Sequence, residues 1–330
     1  MDRHLDRRCL LRTAAVLSTT AWLPRTAFAA DYPDRPIRFI VPFGAGGNVD
    51  GVGRLLATAM GPLLGQAVVV DNRPGAGGGL GAGLVAQGPA DGYTLLVGSN
   101  GPLTVNPFVQ AKLSYDPMKD FAPIALAGVV PHVLLVNNDL PARSLDELIA
   151  LSKKQQVGCA TSGVGSATHL TLERFNAQTG ARLVHVPYRG GNSLLPDLLG
   201  GTVQTAMTEF STALPLHKTG KARMIAMAGA RRSPLAVDVP TFAEGGARDF
   251  TAQSYVGLLA PARTPEAVLR KLEAAAASAL GTAAMAERLQ ALGVEVASAA
   301  DRRADAFGGF LRAEYARSRE IVRLANIKPE

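Results

Sequence analysis

The sequence predicts an α/β protein built from open, doubly wound sheets in which most strands run parallel. Three observations carry this. Apolar β-rich runs alternate with helical patterns nearly throughout, which is the βαβα order of that class. The runs are continuous and not alternating, as suits strands buried on both faces. Two long apolar stretches, 121–138 (FAPIALAGVVPHVLLVNN) and 250–261 (FTAQSYVGLLAP), contain no helix. Each is long enough to carry the chain from one α/β lobe to a second, and a single large sheet is the alternative that composition leaves open.

From the N-terminus, residues 1–30 read as a secretory leader. Arg3, Arg7, Arg8 and Arg12 make a basic start, an apolar stretch follows over 13–23, and Ala27-Phe28-Ala29 is an A-x-A cleavage signal. The apolar stretch is too short for a membrane anchor. Arg7-Arg8 before Cys9-Leu10-Leu11 also suits a twin-arginine signal, although Asp6 and Cys9 depart from that motif, so both export routes stay open.

Beyond the leader, the run 37–43 is the first strand and a helical pattern occupies 52–64. Strands follow at 68–71 and 94–98, separated by the glycine-dense but short stretch 73–83 (RPGAGGGLGAG). After the extended stretch 121–138 comes a helix at 145–154, then strand 157–161, helix 170–179, strand 183–188 and helix 194–199. Strand 203–207, helix 214–219 and strand 224–228 lead to the second extended stretch, with its strand at 256–259. Three helices at 265–280, 284–292 and 302–325 close the chain.

Charge and cysteine content exclude several function classes. Removing 1–30 takes five Arg and two Asp from totals of 34 basic and 27 acidic residues, leaving 29 − 25 = +4. Spread without runs, that charge favours a small anionic ligand and makes no case for nucleic acid. Cys159 is the sole cysteine beyond the leader, so no intramolecular disulfide forms, and Cys/His spacing of the zinc type is absent. No metal and no cofactor are expected.

The stretch 41–56 (VPFGAGGNVDGVGRLL) places Gly44, Gly46 and Gly47 between a strand and a helix. A dinucleotide fingerprint is one reading, with Gly44 and Gly46 as G-x-G and Asp71 ending the next strand. However, Val49 stands at the third glycine position, where it would crowd helix against strand. An anion site needs less: backbone N–H groups turned to one point, backed by the positive end of a helix. One such turn contributes about 0.3–2 kcal/mol, whereas micromolar affinity needs about 8 kcal/mol, so a second turn is required. The stretch 160–172 (ATSGVGSATHLTL) repeats the device, with Thr161, Ser162, Ser166 and Thr168 adding hydroxyls. The plainer roles are helix caps, Asn48 or Asp50 for the first helix and Ser166 or Thr168 for the second, and a packed neutral ring for His169. An enzyme reading finds no G-x-S-x-G elbow, H-E-x-x-H helix or Walker loop, and no base with a motif behind it for Ser166.

Six stretches in order then resemble one family. They are 32–57 (YPDRPIRFIVPFGAGGNVDGVGRLLA), 68–78 (VVVDNRPGAGG), 90–99 (ADGYTLLVGS), 186–201 (VPYRGGNSLLPDLLGG), 231–246 (RRSPLAVDVPTFAEGG) and 255–272 (YVGLLAPARTPEAVLRKL). Together they resemble the substrate-binding proteins of tripartite tricarboxylate transporters, the Bug receptors. The resemblance implies a two-lobed periplasmic binding protein of the type II fold, with 31–131 plus 253–330 as lobe one and 132–252 as lobe two. It implies a small carboxylate held between the lobes by the loops 43–50 and 161–169, hinge closure, and delivery to a membrane permease pair. A receptor that signals to a membrane sensor would share the site and differ only in partner. A soluble monomer without catalytic activity is expected. Ala45 stands where the family often has proline, Tyr255 where it usually has tryptophan, and Thr208-Glu209 where relatives often carry Asp-Asn. The candidate ligand contacts are Phe43, Gly46, Gly47 and Asp50, then Thr161, Ser162, Ser166, Thr168 and His169. Ser99 and Asn100 end a strand that should open onto the same cleft, and Tyr188 and Thr208 are their counterparts in the second lobe.

Overall fold

The computed structural model describes residues 32–324 and Ile327. The expected leader at 1–30 and the last residue of the predicted helix 302–325 lie outside the described residues. Three strands, β1 (Ile37–Val41), β2 (Val68–Asn72) and β3 (Thr94–Gly98), run parallel in the order β2-β1-β3. A second parallel trio, β5 (Val157–Thr161), β6 (Leu183–Pro187) and β7 (Thr205–Glu209), runs in the order β6-β5-β7. The two extended stretches are the long strands β4 (Phe121–Val136) and β9 (Gln253–Pro261), which join the trios. Both long strands run antiparallel to their neighbours, so each sheet is mixed around its parallel trio.

Strand β4 changes partners midway. Its first part pairs with β9 as far as Pro131↔Gln253, and its second part pairs with β7 from His132↔Glu209 onward. The outer edges of β4 are covered by β10 (Glu295–Val296) and β8 (Arg223–Met227). Nearly every residue of β4 is buried, which is why the sequence there is an unbroken apolar run.

Two large cores form among the described residues, with a smaller cluster of Val105, Val109, Leu170 and Val322 beside them. Ile40, Leu96, Tyr255, Leu259 and Phe307 centre one of them. Leu134, Leu148, Phe175, Phe242 and Phe250 centre the other, where the Phe175 ring meets Phe242 edge-on at 5.5 Å and Phe242 stacks on Phe250 at 4.9 Å. Each fully buried aliphatic or aromatic side chain contributes about 1.5–3 kcal/mol. Two cores joined by two strands make a two-lobed α/β fold.

The helices that matter for the site are α1 (Asn48–Leu64), α5 (Ala167–Thr179) and α7 (Phe210–Lys218). The structure also contains α2 (Gly79–Ala86), which the sequence showed only as a glycine-dense stretch. Its residues, GLGAGLVA, present no polar face, so no helical periodicity was visible. The rest comprises α3 (Asn106–Val109), α4 (Leu145–Lys154), α6 (Leu195–Leu199), α8 (Glu266–Leu280), α9 (Ala283–Ala291) and α10 (Ala304–Leu324). Strand β7 lies two residues later than the predicted 203–207, because its register is fixed by Cys159↔Thr205 on β5. Helix α7 begins at Phe210, not 214, because Phe210, Ala213 and Leu214 all bury against the sheet directly after β7.

Candidate functional site

Both glycine loops sit at carboxyl ends of strands and feed helices. After β1, the chain turns through Gly46 (φ +79) and enters α1 with Gly47 at the cap position. The expected side-chain cap by Asn48 or Asp50 is absent there. Instead, Asp50 in the first turn reaches back and accepts from the Gly46 N–H at 2.8 Å. Its oxygens also accept from Arg54 Nε and Asn72 Nδ2, each at 2.9 Å. Burial alone would raise the Asp50 carboxyl, but the Arg54, Gly46 and Asn72 hydrogen bonds overcome that and hold it below its ordinary value. Asp50 is thus the internal brace of the first loop. The close helix-to-strand packing that a dinucleotide loop assigns to its third glycine is done here by Gly53, where a Cβ would lie 3.2 Å from Val41 and 3.3 Å from Val97.

The second loop is braced by its own hydroxyls. Thr161 Oγ1 accepts from the Gly163 N–H, and Thr168 Oγ1 accepts from the Ser162 N–H. Ser166 caps α5 by accepting from the His169 N–H at 3.2 Å, as the sequence suggested. His169 Nδ1 accepts from the Gly165 N–H at 3.3 Å, and its ring stacks on His185 at 3.9 Å. Burial pushes both imidazoles down to about 4, so His169 is the packed neutral ring of the plainer reading.

Most amides of the second loop are therefore committed within it. The first turns of both helices add donors outside the helical pattern, since the first α1 backbone bond starts at the Gly51 N–H and the first of α5 at the Leu170 N–H. Asn48, Val49 and Ala167, which carry such groups, all line one narrow cavity between the loops. Asn48 and Ser162 face it too. Both are only 7 % exposed, and neither the Asn48 amide nor the Ser162 hydroxyl has a hydrogen-bond partner among the described residues. Buried polar groups without partners are costly. Here they line the same cavity as two positive helix ends.

Several candidate residues meet at this cavity: Phe43, Gly47, Ser99, Ser162 and Ser166. Gly46 adjoins it and receives Asn192 Nδ2 on its carbonyl from the opposite lobe at 2.5 Å. Thr161, Thr168 and Asp50 stand one layer behind, as braces. Two candidates are directed elsewhere. Asn100 holds β9, accepting from the Tyr255 N–H at 2.9 Å and donating to the Gln253 carbonyl at 3.2 Å. Tyr188 donates to Asp197 at 2.6 Å and lines an adjoining outer pocket with Phe43 and Ser162. Thr208 is fully buried and lies 3.4 Å from Glu209 Oε2.

The cavity also contains residues that sequence reasoning did not select: Asn48, Gly191, Glu209 and Ser254. Strand alternation was the available signal for Glu209, because successive residues of β7 face opposite sides, but the predicted end of that strand was two residues early. Burial raises the Glu209 carboxyl above its ordinary value. Among the described residues, no group of His, Cys, Asp and Glu could hold a metal ion, and no helix is long and apolar enough to cross a membrane.

Comparisons with known proteins agree on one family. Residues 52–327 match the tripartite tricarboxylate transporter family receptor. Protein BugT of Bordetella pertussis is 36% identical over 322 residues, covering 97% of this chain and 98% of that protein. Among solved structures, Rpa4515 of R. palustris with adipate aligns with a TM-score of 0.85 at 33% identity, covering 91% of this chain and 100% of the other. MatC of Rhodopseudomonas palustris with bound malate gives a TM-score of 0.85 at 32% identity, covering 88% of this chain and 100% of the other. The chain belongs to the tripartite tricarboxylate transporter receptor family.

Proposed function

We propose that this receptor captures a small organic carboxylate between its lobes in the periplasm and delivers it to the membrane subunits of a tripartite tricarboxylate-type transporter. One observation carries the site: the first turns of α1 and α5 line the same cavity as the unpartnered Asn48 amide and Ser162 hydroxyl. Positive helix ends and buried donors suit a carboxylate, and relatives solved with adipate and malate supply the ligand class.

The lobes are taken as 31–131 plus 253–330 and 132–252, supported by the change of β4 partners between Pro131 and His132. Closure about these two strands is the working motion. The direct contacts are taken as Phe43, Gly47, Ser99, Ser162 and Ser166, with Gly46, Asp50, Thr161, Thr168 and His169 shaping the loops behind them. The receptor acts as a monomer, exported by its leader, and performs no chemistry. Supporting the last point, the Ser166 hydroxyl is held as a helix cap, accepting from the His169 N–H at 3.2 Å and lying 3.0 Å from Thr168 Oγ1.

Thermal shift against a panel of small carboxylates, with NAD and FAD alongside, tests this. A ligand at a hundred times its Kd stabilises the folded state by about 2.7 kcal/mol. Shifts confined to carboxylates are expected, and a shift with a dinucleotide alone would refute the proposal.

A further inference from the structure

The far wall of the cavity has the wrong charge for a simple anion site. Glu209 is only 9 % exposed, lines the cavity, and has no Lys or Arg within ion-pair reach among the described residues. Its hydrogen bonds are weak: Thr208 Oγ1 lies 3.4 Å from Oε2 and Ser254 Oγ lies 3.3 Å from Oε1.

Behind Ser254 lies a buried neutral ring. His132 Nδ1 meets Thr171 Oγ1 at 2.8 Å, and its Nε2 meets Ser254 Oγ, also at 2.8 Å. His132 is fully buried and pushed down to about 3 by that burial, which keeps it neutral with one donor and one acceptor. The Ser254 and Thr208 hydroxyls both donate to the Glu209 carboxylate, at 3.3 and 3.4 Å, but neither brings it a counter-charge.

One end of the cavity thus lies at two helix N-termini, while the other presents the Glu209 carboxylate. A buried carboxylate without a counter-charge is costly, and a cation brought to it relieves that cost. Building on the receptor reading above, we infer that the ligand is a carboxylate bearing an ammonium group, its carboxylate at the first turns of α1 and α5 and its ammonium on Glu209. Gly191 keeps the approach open, since a Cβ there would lie 3.1 Å from Glu209 Oε2.

The test is calorimetric titration of the full chain with matched pairs that differ only in the ammonium: succinate and aspartate, glutarate and glutamate, butyrate and 4-aminobutyrate. In at least one pair the amine-bearing member should bind tenfold or more tighter. Glu209→Gln should then bring that pair to within about threefold by weakening the amine-bearing member alone. Tighter binding of the nitrogen-free member, or equal binding within every pair, by the unaltered protein overturns the inference while leaving the carboxylate receptor intact. An equal loss of both members in Glu209→Gln also overturns it. Failure of every carboxylate to bind overturns both proposals. The matched pairs on the unaltered protein need no variant to fold.

Discussion

Asp50→Ala separates a loop brace from a ligand contact, and the structure sets its size. The substitution removes an acceptor from three donors at once: the Gly46 N–H, Arg54 and Asn72. Arg54 is half exposed, so water replaces most of what it loses. Asn72 keeps the Phe43 carbonyl at 3.1 Å. The main loss is a charge-assisted bond to Gly46, whose N–H is left without a partner behind the loop. Summing a full loss at Gly46 and partial losses at the other two gives about 2–4 kcal/mol.

Urea denaturation reads this directly, as a lower midpoint at unchanged slope. Asp50→Asn should recover part of the loss, because its amide oxygen can still accept from Gly46. The depressed Asp50 pKa adds a pH signature. Its stabilisation is present above the ordinary value of 3.8 and is lost as pH falls through the lower folded value. Unaltered acid sensitivity below pH 4 in Asp50→Ala would count against the brace. A midpoint within about 0.5 kcal/mol of the parent, the range of an ordinary surface change, would refute the reasoning outright. If such a stable variant also lost all carboxylate binding, Asp50 would be a direct contact and the loop geometry would need another support.

Three further outcomes are expected. Gly77→Ala places a Cβ 2.6 Å from the Val164 carbonyl of the opposite loop, at φ +57, so carboxylate affinity should fall tenfold or more while stability drops by only about 1 kcal/mol; an unchanged Kd would mean the lobes close without that contact. Ser166→Ala should cost about 1 kcal/mol of stability as a lost cap and about 1–3 kcal/mol of binding, and unchanged affinity would leave Ser166 as a cap alone. His169 and His185, held at about 4 against an ordinary 6.5, take up protons more readily in the unfolded chain, so stability should fall as pH drops from about 6.5 towards 4, by about 2–4 kcal/mol. A double substitution of these histidines by Gln should make that part of the pH curve shallower, leaving the slope that buried His132 contributes over the same range.

The parts of the fold that were legible in the sequence are those where one physical cause dominates. Burial on both faces makes β3, β4 and most of β9 largely apolar, and a helix with one wet face, such as α4, shows its period. Illegible parts had two causes in competition. Helix α2 is apolar all round and rich in glycine, so neither periodicity nor propensity marks it. The end of β7 is polar because it reaches the cleft, and a reading based on apolar runs stops too early there.

That early stop explains how the site was read. Both loops were visible because glycines and hydroxyls after a strand form a local pattern. What those hydroxyls do was not visible, because Thr161 and Thr168 could face ligand or loop equally well until the backbone around them was placed. Glu209 depends on contacts far away in sequence: His132 reaches Ser254 across 122 residues, and Ser254 meets Glu209 across 45. No local pattern encodes which hydroxyl proton goes where in such a chain. The proposed anion end of this cavity is therefore written in short local motifs, whereas the Glu209 end is set by long-range packing at the strand crossing. Changes confined to Glu209, Ser254 and His132 should accordingly alter which carboxylate is taken while leaving the grip on the carboxylate itself in place.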